Sequence, residues 1–449
     1  MEKMVVDFGK VKGKIKAMHA VGQPPRLGVN MDMCSYLKDA NIPYSRLHDV
    51  GGWFGDNLWV DIPNIFRNFD ADETKEENYD FAFTDILIKG LIDNGVEPYY
   101  RLGVTIENFH KIKAYRIYPP KDFAKWAKIC EHIIRHYNEG WANGFHYNIK
   151  YWEIWNEPDN QGSKIEDNQM WKGTKEEFYE LYCVAAKHLK ACFGDSIKVG
   201  GYASCGLTYT LISPEKYGIE CEPVSADDAY VNEYGKYYVQ FFEEFLDYIT
   251  NNNAPIDFFS WHGYVKHPEL LYNVSKYLDK KLEEYGLSHI ENHINEWSVC
   301  PTTTYRGTTK ASSRCAATMM KMQDASTNVM CIYDARATAG PYAALFHCDP
   351  FKPYPLYFAL KAFGELYALG NQVESRITGE NLYVQAAESN GKKAVMISNI
   401  SEEAKEIQSN LGDDMKAYIV DNRCELGPDG TNPAKFVIGP DTIILFKNY

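Results

Sequence analysis

Short apolar runs alternate with longer stretches of helical period through most of this chain. Lys14–Gln23 reads as a strand, Asp32–Ala40 as a turn or two of helix, and Tyr44–Asp49 as a second strand. On that second strand the period of two puts Arg46 and His48 on one face. A loop rich in Gly, Trp, Asp and Pro runs from Gly51 to about Asp80, and Phe83–Gly95 then has helical spacing with an Asn-Gly stop. Glu97–Gly103 is the next strand, Asp122–Gly140 a helix capped by Asp122, and Tyr151–Glu157 a strand stopped by Pro158. Thr174–Gly194 opens with a capping box between Thr174 and Glu177. Strands at Lys198–Ser204, Asp257–Tyr264, His293–Ser298 and Asn328–Arg336 follow, with helices at about Tyr237–Asn251, Pro268–Tyr285, Arg314–Asp324 and Pro355–Leu369. Eight strand–helix units over residues 14–370 predict an α/β chain whose parallel strands close into a (β/α)8 TIM barrel. A doubly wound open sheet is the alternative, and the Gly-rich first turn that would favour it is missing. After Gly370 the pattern changes to short alternating runs separated by Gly, Asn, Asp and Pro. That predicts a C-terminal antiparallel β-sandwich over 371–449, to which residues 1–13 could add a strand.

In such a barrel the C-terminal strand tips form the site. Read in order, those tips carry His19, Arg46 and His48, Arg101, Asn156 and Glu157, Tyr202 and Ser204, His262 and Tyr264, Glu296 and Trp297, then Tyr333, Asp334 and Arg336. Glu157 and Glu296 fall on the fourth and seventh strands and face each other across the mouth. Two carboxyls so placed are the minimal equipment for splitting a glycosidic bond. An aromatic wall disfavours the charged form of Glu157, as a general acid requires. The bland alternative is a strand-end turn residue with a solvated carboxylate. Glu153 lies deeper and reads as a buried structural carboxylate held by Arg46 or Arg101. Tyr264 can donate to a nucleophilic carboxylate, Arg46 can hold Glu296 ionised, and Trp53, Trp155, Trp297 and Tyr333 are candidates for stacking on a sugar. His48 and His262 are read first as mouth histidines whose hydrogen bonds are satisfied.

Composition narrows the partners. The 449 residues are 45% hydrophobic and 14% aromatic, enough for a large core. A formal charge of −14 argues against nucleic acid or an anionic membrane surface. No window reaches the roughly 20 apolar residues of a membrane span. Eleven scattered Cys, with no zinc spacing, read as reduced thiols. Met1–Lys10 is too charged for a signal peptide, so a cytoplasmic location is expected. No nucleophile elbow, Walker loop or H-E-x-x-H occurs, His110 and His146 lack partners at ligand spacing, and Cys300 has no histidine placed beside it. No metal or cofactor is expected. The expected partner is a carbohydrate substrate, and homo-oligomerisation is left open.

Ser45–Asp49 (S-R-L-H-D), Tyr151–Pro158 (Y-W-E-I-W-N-E-P), Trp171–Thr174, Trp261–Tyr264 (W-H-G-Y) and Asn295–Trp297 together resemble the clan A glycoside hydrolases. Within that clan the chain is most similar to glycoside hydrolase family 39, the β-xylosidase and α-L-iduronidase family. The resemblance implies a retaining exo-glycosidase with Glu157 as acid/base, Glu296 as nucleophile and Asn156 at the sugar 2-hydroxyl. It places His262 and Tyr264 at the strand-six aromatic–histidine positions and Arg46 at the strand-two arginine. Xylosidases of the family usually carry Tyr or Phe where this chain has Trp297, and the Tyr333–Arg336 tip and the Thr302–Ala311 loop match poorly. An arabinofuranosidase, a uronidase using Arg101 or Arg336, and a non-catalytic sugar-binding barrel are the alternatives.

Overall fold

The computed structural model describes residues 1–25, 27–28, 31–50, 59–107, 116–160, 162–299, 302–338, 340, 342, 344–348 and 351–449. Eight parallel strands close into a barrel: β1 (Ala17–Gly22), β2 (Tyr44–Leu47), β3 (Glu97–Leu102), β4 (Tyr151–Ile154), β5 (Lys198–Ser204), β6 (Phe258–Val265), β7 (Glu291–Val299) and β8 (Val329–Ile332). The principal helix after each strand is α1 (Cys34–Asp39), α2 (Ala82–Asp93), α3 (Phe123–Glu139), α4 (Lys175–Phe193), α5 (Gly235–Asn251), α6 (Pro268–Glu284), α7 (Thr309–Met322) and α8 (Pro355–Leu369). The expected closed barrel is therefore present, and the open-sheet alternative is not.

Local chemistry sets these boundaries. Asp122 accepts from the Lys125 N–H at the start of α3, and Gly140 ends that helix in the left-handed region at φ 76°. At the start of α4 the Thr174–Glu177 capping box is complete. On β5, a Cβ at Gly200 would stand 2.1 Å from the Phe258 carbonyl oxygen, so only glycine lets β5 and β6 approach there.

The barrel floor is aromatic: Tyr99, Tyr151 and Phe258 pack together under His293. Around that floor Glu291 accepts from the Tyr151 hydroxyl at 2.7 Å, meets His293 at 2.9 Å and pairs with Lys198. Above it lies a polar layer. Arg46 donates to Glu153 at 2.8 Å, and Glu153 also accepts from the Ser260 hydroxyl at 2.6 Å and from the Asn295 amide.

Beyond α8 a second sheet of nine strands joins both chain ends. Glu2–Lys14 is an interior strand, antiparallel to Asn371–Ile377 and parallel to Lys405–Ser409. The sheet is thus mixed rather than wholly antiparallel, because its first strand comes from the other end of the chain. It curls until Phe436, on its last strand, lies 5.2 Å from Phe446 near the opposite edge. One face packs on the barrel: Met396, Ile443 and Leu445 share a core cluster with α7 and α8, and Arg314 pairs with Asp441 at 2.6 Å. Among the described residues no helix is long and apolar enough to cross a membrane.

Candidate active site

The strand β4 stops at Ile154, and the chain then leaves extended geometry. Trp155 has φ 70° and Glu157 φ 43°, left-handed values that cost a residue with a Cβ on the order of 1 kcal/mol each. Neighbouring contacts hold this bend. The Glu157 N–H donates to the Ala203 carbonyl at 3.0 Å, and buried Asp159 accepts from the Ser204 hydroxyl at 2.8 Å and from the Cys205 N–H at 3.2 Å. The tips of β4 and β5 are thereby latched together, and Glu157 is turned into the barrel mouth.

A cavity of about 670 Å³ opens there, lined by Glu157, Glu296, His262, Tyr264, His48 and Tyr333 among others. One oxygen of Glu157 lies within 4.8 Å of one oxygen of Glu296, and His262 stands between them. The His262 ring meets Glu157 through Nδ1 at 2.7 Å and Glu296 through Nε2 at 3.7 Å. Tyr264 donates its hydroxyl to Glu296 at 2.5 Å, and Arg46 reaches the other Glu296 oxygen at 3.4 Å. Glu157 accepts from the Asn160 amide at 2.7 Å.

Burial drives both carboxyls above their ordinary range, and their closeness means that they ionise in turn. Their donors differ. Glu296 has a guanidinium and a phenol aimed at it, whereas Glu157 has an amide and the edge of His262. Glu296 thus has the stronger donors for a carboxylate, although burial and the nearby Glu157 still hold it up at about 7. Burial lowers His262 to about 4, so its ring is neutral near pH 7. Which ring nitrogen carries the proton follows from whether Glu157 donates to Nδ1 or accepts from it. Burial, with Arg101 and Arg46 adding to it, also pushes His48 well below its usual value.

The other expected residues divide clearly. Asn156 is buried, its Oδ1 accepting from Arg46 at 2.6 Å. His48 lines the cavity 3.2 Å from Asp49, and Tyr333 accepts from the Gln23 amide at 2.5 Å. Four expectations are corrected. Trp297 is fully buried in the core behind the strand and does not reach the cavity, so it offers no stacking face. Arg101 is fully buried against Asp61 at 2.7 Å and is likewise absent from the cavity wall. Trp155 is also buried, its indole N–H on the Met170 carbonyl, and Tyr202 and Ser204 lie within the wall. His19 is buried on the Asn41 carbonyl rather than at the mouth. Trp53, His110 and Cys300 lie outside the described residues.

Several cavity residues carried no signal in the sequence. Asn160, Gln169, Cys205, Tyr230 and Tyr342 come from loops without a motif, and Tyr238 from the first turn of α5. Asp49 ends the S-R-L-H-D stretch and was legible only as part of it. Glu157, His262 and Glu296 could also hold a cation, since their ligand atoms lie within 4.8 Å. A second grouping, Glu131, His188 and Cys192 on α3 and α4, is just as close, but Arg135 donates to Glu131 at 2.8 Å and occupies it as an ion pair.

A curated β-xylosidase from Caldicellulosiruptor saccharolyticus is 27% identical over 277 residues, which cover 58% of this chain and 46% of that protein. The chain thus spans about half the length of that relative. Among solved structures, a glucosidase from Croceicoccus marinus superposes with a TM-score of 0.78 at 17% identity, over 100% of this chain and 98% of the other. An arabinofuranosidase gives 0.61 at 14% identity, over 100% of both chains. At such identities these two likenesses speak for the fold alone. The model of glycosyl hydrolases family 39 matches residues 29–305, more than half of the 449, and the chain belongs to that family.

Proposed function

We propose that the protein is a retaining exo-glycosidase of β-xylosidase type, acting on short oligosaccharides or small glycosides. The observation that carries this reading is the approach of two unlike carboxyls to within 4.8 Å inside one cavity. Retaining enzymes hold their carboxyls about 5–5.5 Å apart, whereas inverting ones leave about 6.5–9.5 Å for a water. Glu296 attacks the anomeric carbon and forms an ester as the bond to the leaving oxygen breaks. Glu157 gives that oxygen its proton. Water then attacks the ester, Glu157 takes the water's proton, and Glu296 leaves as carboxylate. Tyr264 and Arg46 favour the ionised form of Glu296 before attack and after release. The 27% identical β-xylosidase favours a xyloside.

The test is incubation with a panel of 2-deoxy-2-fluoro glycosides that includes xylosides, arabinofuranosides and uronides, followed by mass spectrometry. Label on Glu296 from a β-xyloside is expected. Label elsewhere, or turnover with inversion, would remove the assignment. Glu296→Ala should abolish hydrolysis, with azide restoring turnover to an inverted glycosyl azide. Glu157→Ala should spare glycosylation by substrates with activated leaving groups. A non-catalytic sugar-binding protein would leave every aryl glycoside of the panel intact.

A further inference from the structure

Metal-ligating groups also converge in the outer helix layer. His188 and Cys192 stand one turn apart on α4, and Glu131 faces them from α3. The His188 Nε2 is 2.6 Å from one Glu131 oxygen, Oε2, and 3.7 Å from the Cys192 sulfur. All three ligand atoms lie within 4.8 Å of one another. None of these residues lines the cavity that holds Glu157 and Glu296. Arg135 engages only the other oxygen of Glu131, Oε1, at 2.8 Å. That leaves Oε2 turned toward the ring and the thiol. A guanidinium on the non-ligating oxygen is the kind of outer partner that orients a metal-bound carboxylate. Both helices are firm supports, α3 capped by Asp122 and Gly140 and α4 by its capping box. The Glu131 and His188 side chains are 14% and 28% exposed and Cys192 is half-buried, so an ion can reach the group from solvent.

We propose that Glu131, His188 and Cys192 form a zinc site that clamps α3 to α4. Zinc accepts a carboxylate, an imidazole and a thiolate together, whereas calcium and magnesium want oxygen throughout. Around a tetrahedral zinc such ligand atoms stand about 3.3–3.6 Å apart. The contact of 3.7 Å is already close to that spacing, and the one of 2.6 Å has to open by under about 1 Å. Water completes the fourth position. On binding, the Cys192 thiol proton passes to solvent as the zinc–sulfur bond forms. The imidazole binds through Nε2 and carries its proton on Nδ1. Spacing along the sequence does not reveal the group, since Glu131 precedes His188 by 57 positions.

The test takes the 449-residue chain, stripped of metal with a chelator, and titrates it with cobalt and then zinc. One thiolate-ligated cobalt per chain should appear, with a sulfur-to-cobalt charge-transfer band in the near ultraviolet, and zinc should displace it. Zinc should also raise Tm in the wild type, an increase lost in Cys192→Ser. His188→Ala and Cys192→Ser should each weaken zinc binding by more than the roughly 10–100-fold that losing an outer partner costs. The band should vanish in Cys192→Ser. Cys192→His, which exchanges the sulfur for another ligand, should still bind zinc and show no band. A band of unchanged strength in Cys192→Ser, or unchanged zinc affinity in His188→Ala, would overturn the site. So would the absence of zinc-displaceable cobalt from the wild type.

Discussion

The phenol of Tyr264 sits 2.5 Å from Glu296 and stabilises only its ionised form. Under the proposed roles, removing that donor in Tyr264→Phe raises the Glu296 pKa, so the acidic limb of kcat/KM should move to higher pH while the basic limb, which the proposed acid Glu157 would set, stays. A pH profile on an aryl glycoside checks this, and an unmoved acidic limb would contradict it. Legibility at this scale followed strand parity. Glu157 and Glu296 could be picked out because carboxyls at strand tips are unusual. Trp297 was misplaced although the same parity was available: it follows Glu296 by one residue, so a mouth-facing Glu296 sends Trp297 outward into the helix layer. Arg101 was misplaced because its partner Asp61 comes from a loop that no pattern ties to it. Tyr230 could not be found at all, since its position depends on how a long connection folds over the barrel.

Elements were more legible than side chains. Caps and glycine stops gave Thr174–Gly194 and Pro355–Leu369 nearly as they fold, because those signals are local. The fourth strand was drawn too long, to Glu157, since its aromatic composition continues past Ile154 while the backbone turns into left-handed geometry. Strands Asn371–Ile377, Lys405–Ser409 and Glu425–Asp429 were missed; each is polar and half-exposed, with too little alternation to see. The start of β7 yields a prediction of its own. Burial opposes ionisation of Glu291, but His293, Lys198 and Tyr151 outweigh it and hold its pKa well below the usual range. A depressed carboxyl stabilises the fold above its unfolded value of about 4.3, and that stability is lost as pH falls. Glu291→Gln should therefore lower Tm at pH 7, with the gap to wild type narrowing as the pH drops below about 4. A gap of constant size would show that the ion cluster contributes nothing.

The whole molecule has a core that does not respect the boundary between barrel and sheet. Met396, Ile443 and Leu445 belong to the same buried cluster as α7 and α8. Leu445→Ala should cost about 2–5 kcal/mol and lower one cooperative transition in calorimetry. Two separated transitions would show that the units unfold independently. The two architectures were legible because their hydrophobic periods differ, but nothing in the period shows which faces meet. The interior position of Glu2–Lys14 also bears on synthesis. Lys3 and Thr378 bond across 375 positions, and Lys405–Ser409 flanks the same strand still later. On the ribosome Glu2–Lys14 must wait, unpaired, until Asn371–Ile377 and Lys405–Ser409 have emerged. The barrel strands pair with near neighbours and can condense first, while Glu2–Lys14 stays exposed without its partners, a segment suited to being held by a chaperone.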